Sequence, residues 1–94
     1  MNKYESVIII NPNVEEQTIK TLIAKFTDLI NNDGKLEKVD ELGKKRLAYE
    51  IKKQKEGYYI VFYFEANPTL IAELERVYRI ADEVMKFIVV RQED

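Results

Sequence analysis

The side chains best able to do chemistry in this sequence are the cations of its middle third. Between positions 35 and 55, eight lysines and arginines stand against four acidic residues, a net charge of +4. The rest of the chain has seven basic and thirteen acidic residues, a net charge of −6. A basic segment on an acidic body is typical of a local contact with nucleic-acid phosphates. A solvated, charged two-stranded ribbon would have the same composition.

Enzyme chemistry has little support in the sequence. The chain has no histidine and no cysteine, which removes the commonest general base, the commonest metal ligand and every disulfide. Its three glycines form no phosphate-binding loop. Its carboxylates follow the spacing of helix ends and salt bridges rather than that of a catalytic pair. We therefore expect no catalytic residue, no metal, no cofactor and no small-molecule substrate.

Size and composition predict a single globular domain. Hydrophobic residues make up 46% of the 94 residues and charged residues 34%, a balance typical of a folded chain rather than a disordered one. We expect one domain over 1–94, with a short polar tail from about residue 91. No segment approaches the roughly 18 apolar residues of a membrane span, and the first residues lack a signal-peptide pattern. The sequence thus predicts an intracellular protein without membrane contact.

The first half of the chain has the pattern of a strand followed by a helix. A strand is predicted over residues 4–10, because residues 7–10 are β-branched and apolar on both faces, a pattern typical of a buried strand. Apolar residues at three- and four-residue spacing then predict a helix to about residue 32. We expect Asn13 to cap this helix in a capping-box pair with Glu16. We expect Gly34 to end it in the left-handed conformation.

The second half completes a repeating order of elements. A long charged strand is predicted over 35–53, with a bend or bulge at Gly43, then a turn over 54–57 and a third strand over 58–65. Asn67-Pro68 opens a second helix, and a last strand follows over 85–90. The order β-α-β-β-α-β predicts the ferredoxin-like α+β fold, a four-stranded antiparallel sheet with both helices on one face.

One face of such a sheet has no covering of its own. Strand alternation assigns to the helix side the residues Ile8, Ile10, Tyr58, Ile60, Phe62, Phe64, Phe87 and Val89. The other face then has a contiguous apolar and aromatic set framed by Lys3 and Lys86, namely Val7, Ile9, Tyr59, Val61, Tyr63, Ile88 and Val90. A surface of this kind usually marks an interface, although small sheets tolerate some exposed β-branched residues.

The third strand suggests a different kind of RNA binding. The stretch from Lys55 to Tyr63 partly resembles the aromatic strand motif of RNA-recognition domains, which stack single-stranded bases. Glu56 interrupts the motif, and Ile60 replaces a stacking aromatic. A free-standing module that stacks bases on Tyr59 and Tyr63 is therefore an alternative. A ferredoxin-like regulatory dimer that binds a small ligand is a third, supported by the apolar face alone.

A family resemblance comes from short segments at fixed places in the chain. The most specific is Glu41-Leu42-Gly43-Lys44-Lys45-Arg46-Leu47-Ala48-Tyr49, and Tyr4-Glu5, Asn11-Pro12, Gly57-Tyr58 and the run 84–90 agree with it. Together they make the chain similar, from residue 4 to about 91, to the family of the sixth protein of the bacterial small ribosomal subunit. The family often has proline at the position of Glu50 and arginine at that of Lys86.

The resemblance implies a structural, non-catalytic protein of the cytoplasmic ribosome. It implies binding to the central domain of small-subunit ribosomal RNA together with the eighteenth protein of that subunit. We expect RNA phosphates to be contacted by Lys3, Lys44, Lys45, Arg46, Lys86 and Arg91. We expect the partner protein to be contacted by Tyr49, Tyr59, Val61 and Tyr63. Arg46 is the strongest RNA candidate because a guanidinium holds a phosphate with two donors.

Overall fold

A computed structural model describes residues 1–92 and confirms the predicted order of elements. The elements are β1 (Asn2–Ile10), α1 (Glu16–Asp33), β2 (Gly34–Ile51), β3 (Gln54–Ala66), α2 (Pro68–Ile80) and β4 (Val84–Arg91). The last strand therefore takes in Arg91, where the polar tail was expected to begin, and Glu93 and Asp94 lie outside the described residues. No helix within 1–92 is long and apolar enough to cross a membrane.

The four strands form one antiparallel sheet in the order β2-β3-β1-β4. Val7 at the centre of β1 lies opposite Val61 of β3 on one side and Ile88 of β4 on the other. Residues one step away, such as Ile8 and Ile60, point to the opposite face and are fully buried with the apolar stripes of both helices. The ferredoxin-like prediction, with both helices on one face, is confirmed.

Aromatic rings fill the layer between the helices and the sheet. Phe26 of α1 meets Phe62 of β3 edge-on at 6.2 Å between ring centroids, and Tyr78 of α2 edge-on at 4.8 Å. Edge-to-face pairs at these distances are favourable beyond the area that they bury. The core thus lies on the helix side of the sheet, which leaves the other face available for a site.

Both predicted ends of α1 are wrong in detail. Glu15 occupies the N-cap position without a side-chain cap bond. The backbone N–H of Asn13 instead donates to Oδ1 of Asn11 at 2.9 Å, a local turn that precedes the helix. Gly34 is extended, with φ of −155°, rather than left-handed. A Cβ on Gly34 would collide with the Glu65 carbonyl oxygen, so close strand contact explains the glycine there.

The connection between β2 and β3 also differs from the prediction. The turn is Lys52-Lys53 rather than 54–57, because Ile51 pairs with Gln54 across it. The predicted bulge at Gly43 is confirmed by its φ of +81° and by a register shift between Glu41 and Gly43. A second, larger irregularity was not predicted. Arg46 pairs with Glu56 and Ile51 with Gln54, so residues 47–50 face a single residue of β3.

Candidate functional site

The end of the β2–β3 hairpin, residues 44–57, folds over one end of the open face, the side of the sheet opposite the helices. The bulge at residues 47–50 carries Leu47 onto Ile9 of β1 and Met85 of β4, where all three are buried in a second small hydrophobic cluster. Gly57 makes this possible, since a Cβ there would collide with the Ile9 side chain. The expectation that the open face has no covering of its own is therefore wrong at this end.

A groove of about 220 Å³ lies between the hairpin and the open face. Tyr49 and Lys86 meet at its edge, where the Lys86 ammonium donates to the Tyr49 hydroxyl at 2.6 Å and lies 5.2 Å from the ring centroid. The rest of the lining is mainly apolar and includes Val7, Ile9, Leu47, Ile51, Tyr59 and Ile88. An apolar groove with one cation at its edge suits an apolar side chain better than a nucleotide.

The apolar surface continues from the groove along β4. Ile88 and Val90 are each 50% exposed. Val7 of β1 lies beside Ile88 in the sheet and is half-buried. Groove and strip together form an apolar patch, the feature that usually marks a contact with another protein.

The four predicted partner-facing residues do not all lie in this patch. Tyr49, which is 61% exposed, and Tyr59 line the groove. Val61 is on the same face but buried. Tyr63 lies further along β3, with the Lys38 ammonium 5.7 Å from its ring centroid. Partial burial and the neighbouring acidic residues Asp40 and Glu5 raise the pKa of Tyr63.

The central RNA candidates lie on the outer edge of the sheet, because β2 is an edge strand. Lys44, Lys45 and Arg46 are all exposed, and within residues 1–92 none of them has an ion-pair partner. They do not share one face. Lys44 and Arg46 alternate with Lys45, which lies opposite Gly57 and so points to the open-face side.

The other three RNA candidates are dispersed. Lys3 and Arg91 lie near each other at the far end of β1, since Arg91 pairs with Tyr4. That end is ~20 Å from the hairpin, six strand residues at ~3.3 Å each. Lys3 is also 4.0 Å from a carboxylate oxygen of Glu65. Lys86 is at the hairpin end but already contacts Tyr49. The structure therefore separates a hairpin group of cations from a distant pair.

Sequence reasoning missed three cations of the hairpin. Lys52, Lys53 and Lys55 are exposed beyond Arg46, and Lys55 borders a shallow depression with Arg46 and Glu56. The charge count over 35–55 had already included them. Lys52 and Lys53 were not selected because the turn was predicted to begin at 54 rather than 52, which left these two lysines inside a strand.

One of the two tyrosines of the base-stacking alternative is partly covered in the structure. Tyr59 is packed against the small cluster of Ile9, Leu47 and Met85 beneath the hairpin. Its ring is thus partly covered by the chain itself, whereas stacking requires an open aromatic face.

Comparison with known proteins gives consistent matches over the whole fold. A family model described as ribosomal protein S6 matches residues 3–91. The small ribosomal subunit protein bS6 of Clostridium novyi is 49% identical, over 99% of this chain and 99% of its own length. That of Heliobacterium modesticaldum is 42% identical, over 100% and 99%. The crystal structure of 30S ribosomal protein S6 from Thermotoga maritima superposes with a TM-score of 0.92 at 38% identity, covering 97% of this chain and 87% of that one.

Proposed function

The chain belongs to the ribosomal protein S6 family, and from that premise we propose that it binds the central domain of small-subunit ribosomal RNA together with the eighteenth protein of that subunit. Members of this family are structural components of the small ribosomal subunit, in the cytoplasmic ribosome, and are not enzymes. The observation that carries the proposal is the two-sided hairpin, which is basic on its exposed edge and apolar where it meets the open face.

The basic edge supports the RNA half of the proposal. Lys44, Lys45 and Arg46 project from an edge strand, and none of them forms an ion pair within residues 1–92. Cations of this kind gain affinity by releasing counterions from RNA phosphates, and they set position rather than read sequence. Arg46 is favoured over the lysines because its planar donors match two phosphate oxygens at once.

The groove and the apolar strip support the protein half. A partner side chain that enters the groove would cover apolar surface of Ile9, Tyr59 and Ile88. Full burial of one large apolar side chain contributes ~1.5–3 kcal/mol. Part of this gain offsets the loss of freedom on association. The exposed Ile88 and Val90 would extend the contact beyond the groove.

The two halves are coupled because one hairpin carries both. Leu47 and Tyr49 form the wall of the groove, directly after the exposed Arg46. A partner seated in the groove would hold the wall in place and would thereby fix the cations beside it. We therefore expect tight RNA binding only when the partner protein is present, since each ligand then meets an already ordered hairpin.

The test is a salt titration of binding to a transcript of the RNA central domain, with the partner protein present. Lys45→Ala together with Arg46→Ala should lower the slope of log affinity against log salt by ~1.4–1.8, since each phosphate contact contributes roughly 0.7–0.9. The affinity should weaken to a similar extent for altered RNA sequences, because phosphate contacts do not read bases.

A matched control likewise removes one lysine and one arginine, but from the helix layer. Lys25 is exposed on α1, and Arg76 is exposed on α2, where it pairs with Glu73. Lys25→Ala together with Arg76→Ala should leave the slope nearly unchanged. An unchanged slope in the hairpin variant would move the RNA surface to Lys3 and Arg91. Tight binding of short single strands without the partner, lost in Tyr59→Ala and Tyr63→Ala, would instead support the base-stacking alternative.

A further inference from the structure

The turn of the β2–β3 hairpin has an unusual sequence for its conformation. Ile51 and Gln54 pair across a two-residue turn, and its two residues, Lys52 and Lys53, have φ of +48° and +65°. Two-residue turns with both φ values positive favour asparagine, aspartate and glycine, because other side chains are strained in the left-handed region. Neither position has such a residue, so the turn retains backbone strain that an ordinary substitution would relieve.

Charge repulsion within the turn is a second unfavourable contribution to its folding free energy. Two adjacent ammonium groups repel each other, and within residues 1–92 neither lysine has an ion-pair partner. Lys55 follows on β3, and Arg46 precedes on β2 at the last regular pair before the bulge. Over residues 44–55 six cations stand against one carboxylate. Strain and like charge at the same two positions indicate a requirement other than folding.

The turn is held in place despite this cost. Ile51, directly before it, packs against the cluster of Ile9, Leu47 and Met85 on the open face. The two lysines therefore project from an anchored tip rather than from a free loop. Lysines at a fixed tip act as point charges that suit the phosphates of a nucleic-acid backbone.

We propose that the Lys52-Lys53 turn is a phosphate-binding site for RNA, separate from the Lys44–Arg46 edge and holding two backbone phosphates. The site rests on the RNA-binding function proposed above. It uses the exposed end of the hairpin, so that the RNA meets the hairpin at both its edge and its tip. The site contributes affinity and position and does not discriminate between bases.

The test uses a variant in which folding and RNA binding should change in opposite directions. Lys52→Asn together with Lys53→Gly supplies the turn residues that the conformation favours and removes both charges. We expect Tm to rise by ~4 °C or more as strain is relieved. With the central-domain transcript and the partner protein, we expect the slope of log affinity against log salt to fall by ~1.4–1.8.

Two further variants separate charge from conformation. Lys52→Arg together with Lys53→Arg keeps both charges and the strained turn, and should keep the wild-type slope. Lys25→Ala together with Arg76→Ala removes two cations from the helix layer and should also keep it.

Three outcomes would overturn the proposal, and they are distinguishable. A higher Tm with an unchanged slope would mean that the two lysines strain the turn without contacting RNA phosphates. Weaker binding of the partner protein alone, with RNA binding intact, would assign the turn to an acidic surface of that partner. Failure of the wild-type protein to bind the transcript with its partner would reject the RNA-binding function itself.

Discussion

At the scale of single residues, the core depends on one buried polar contact. The hydroxyls of Ser6 and Tyr78 lie 2.8 Å apart, and Ser6 is fully buried. Tyr78 is fully buried and packs edge-on against Phe26. A buried hydroxyl without a partner costs ~1–3 kcal/mol. The pair therefore ties the last turn of α2 to the centre of β1 while leaving neither group unsatisfied.

This pair predicts a strong coupling between two conservative substitutions. Tyr78→Phe and Ser6→Ala should each lower the free energy of unfolding by ~1–3 kcal/mol, because each leaves the other hydroxyl buried alone. The double variant should cost less than the sum of the two, since neither hydroxyl then remains. Chemical denaturation of the wild type and the three variants measures this coupling. Additive costs would mean that the two hydroxyls do not depend on each other.

Tyr78 also makes the stability of the fold decrease at alkaline pH. Burial raises the pKa of Tyr78, and the Ser6 hydrogen bond, which lowers it, only partly offsets this effect. The folded pKa is thus above the unfolded value of about 10. The contribution to stability is fully present below about pH 10 and is lost as the pH rises toward the folded pKa. The wild type should therefore lose more stability than Tyr78→Phe when denaturation at about pH 8 is compared with that at about pH 11.

At the scale of elements, α1 is held to the sheet by its apolar stripe. Phe26 is fully buried against Phe62, and Leu22 is 6% exposed one turn earlier. Leu22→Ala or Phe26→Ala should lower the free energy of unfolding by ~2–5 kcal/mol through lost contacts and a cavity. Lys25→Ala, on the exposed side of the same helix, should change it by less than ~0.5 kcal/mol. Denaturant midpoints equal to the wild type for both core variants would contradict this packing.

At this scale, features that depend on local spacing could be predicted from the sequence, and features that depend on contacts between distant residues could not. The six elements and the two faces of the sheet follow from the spacing of apolar residues, as in the stripe that contains Leu22 and Phe26. The helix cap at Asn13 was wrong because the helix begins at Glu16, with Glu15 in the N-cap position, and Asn13 belongs to a turn with Asn11 that precedes it. The extended Gly34 depends on contact with Glu65, thirty-one positions away, which no local pattern contains.

The candidate site was predictable only in part, for the same reason. Charge counting found the basic hairpin, and strand alternation found Ile9 and Tyr59 on the open face. The groove itself depends on the bulge that carries Leu47 onto Met85. That bulge exists because of packing between residues distant in sequence, so the alternating pattern of β2 predicted a regular strand instead.

At the scale of the whole molecule, charge is separated along a body with extents of 37 × 26 × 21 Å. Residues 44–55 have a net charge of +5 on a protein of net charge −2. Most of the protein surface therefore repels a polyanion, whereas the hairpin attracts it. Such a separation orients the protein before contact and makes association faster at low salt. If the protein binds RNA as proposed, the hairpin should therefore approach the RNA ahead of the rest of the molecule.

Because of the bulge, residues 47–50 should open locally more readily than the central strand β1. None of these four residues has a ladder partner in β3, whereas β1 is paired along both of its edges. Backbone amides outside a ladder exchange with solvent hydrogen through small local openings, and central strands exchange only through near-global ones. In hydrogen–deuterium exchange, amides 47–50 should therefore be among the fastest and those of β1 among the slowest.

Partner binding should change this exchange map at one place above all. A protein seated in the groove would hold Leu47 and Tyr49 and should slow exchange at 47–50, while β1 stays nearly unchanged. Equal protection across the sheet, or none at the bulge, would contradict the groove as the docking site. Slowing confined to 47–50 would make the groove wall a unit that opens separately from the rest of the sheet. A protein docked in the groove would then be accommodated by a movement of the wall while the sheet stays folded, and its affinity would be lowered by the cost of ordering that wall.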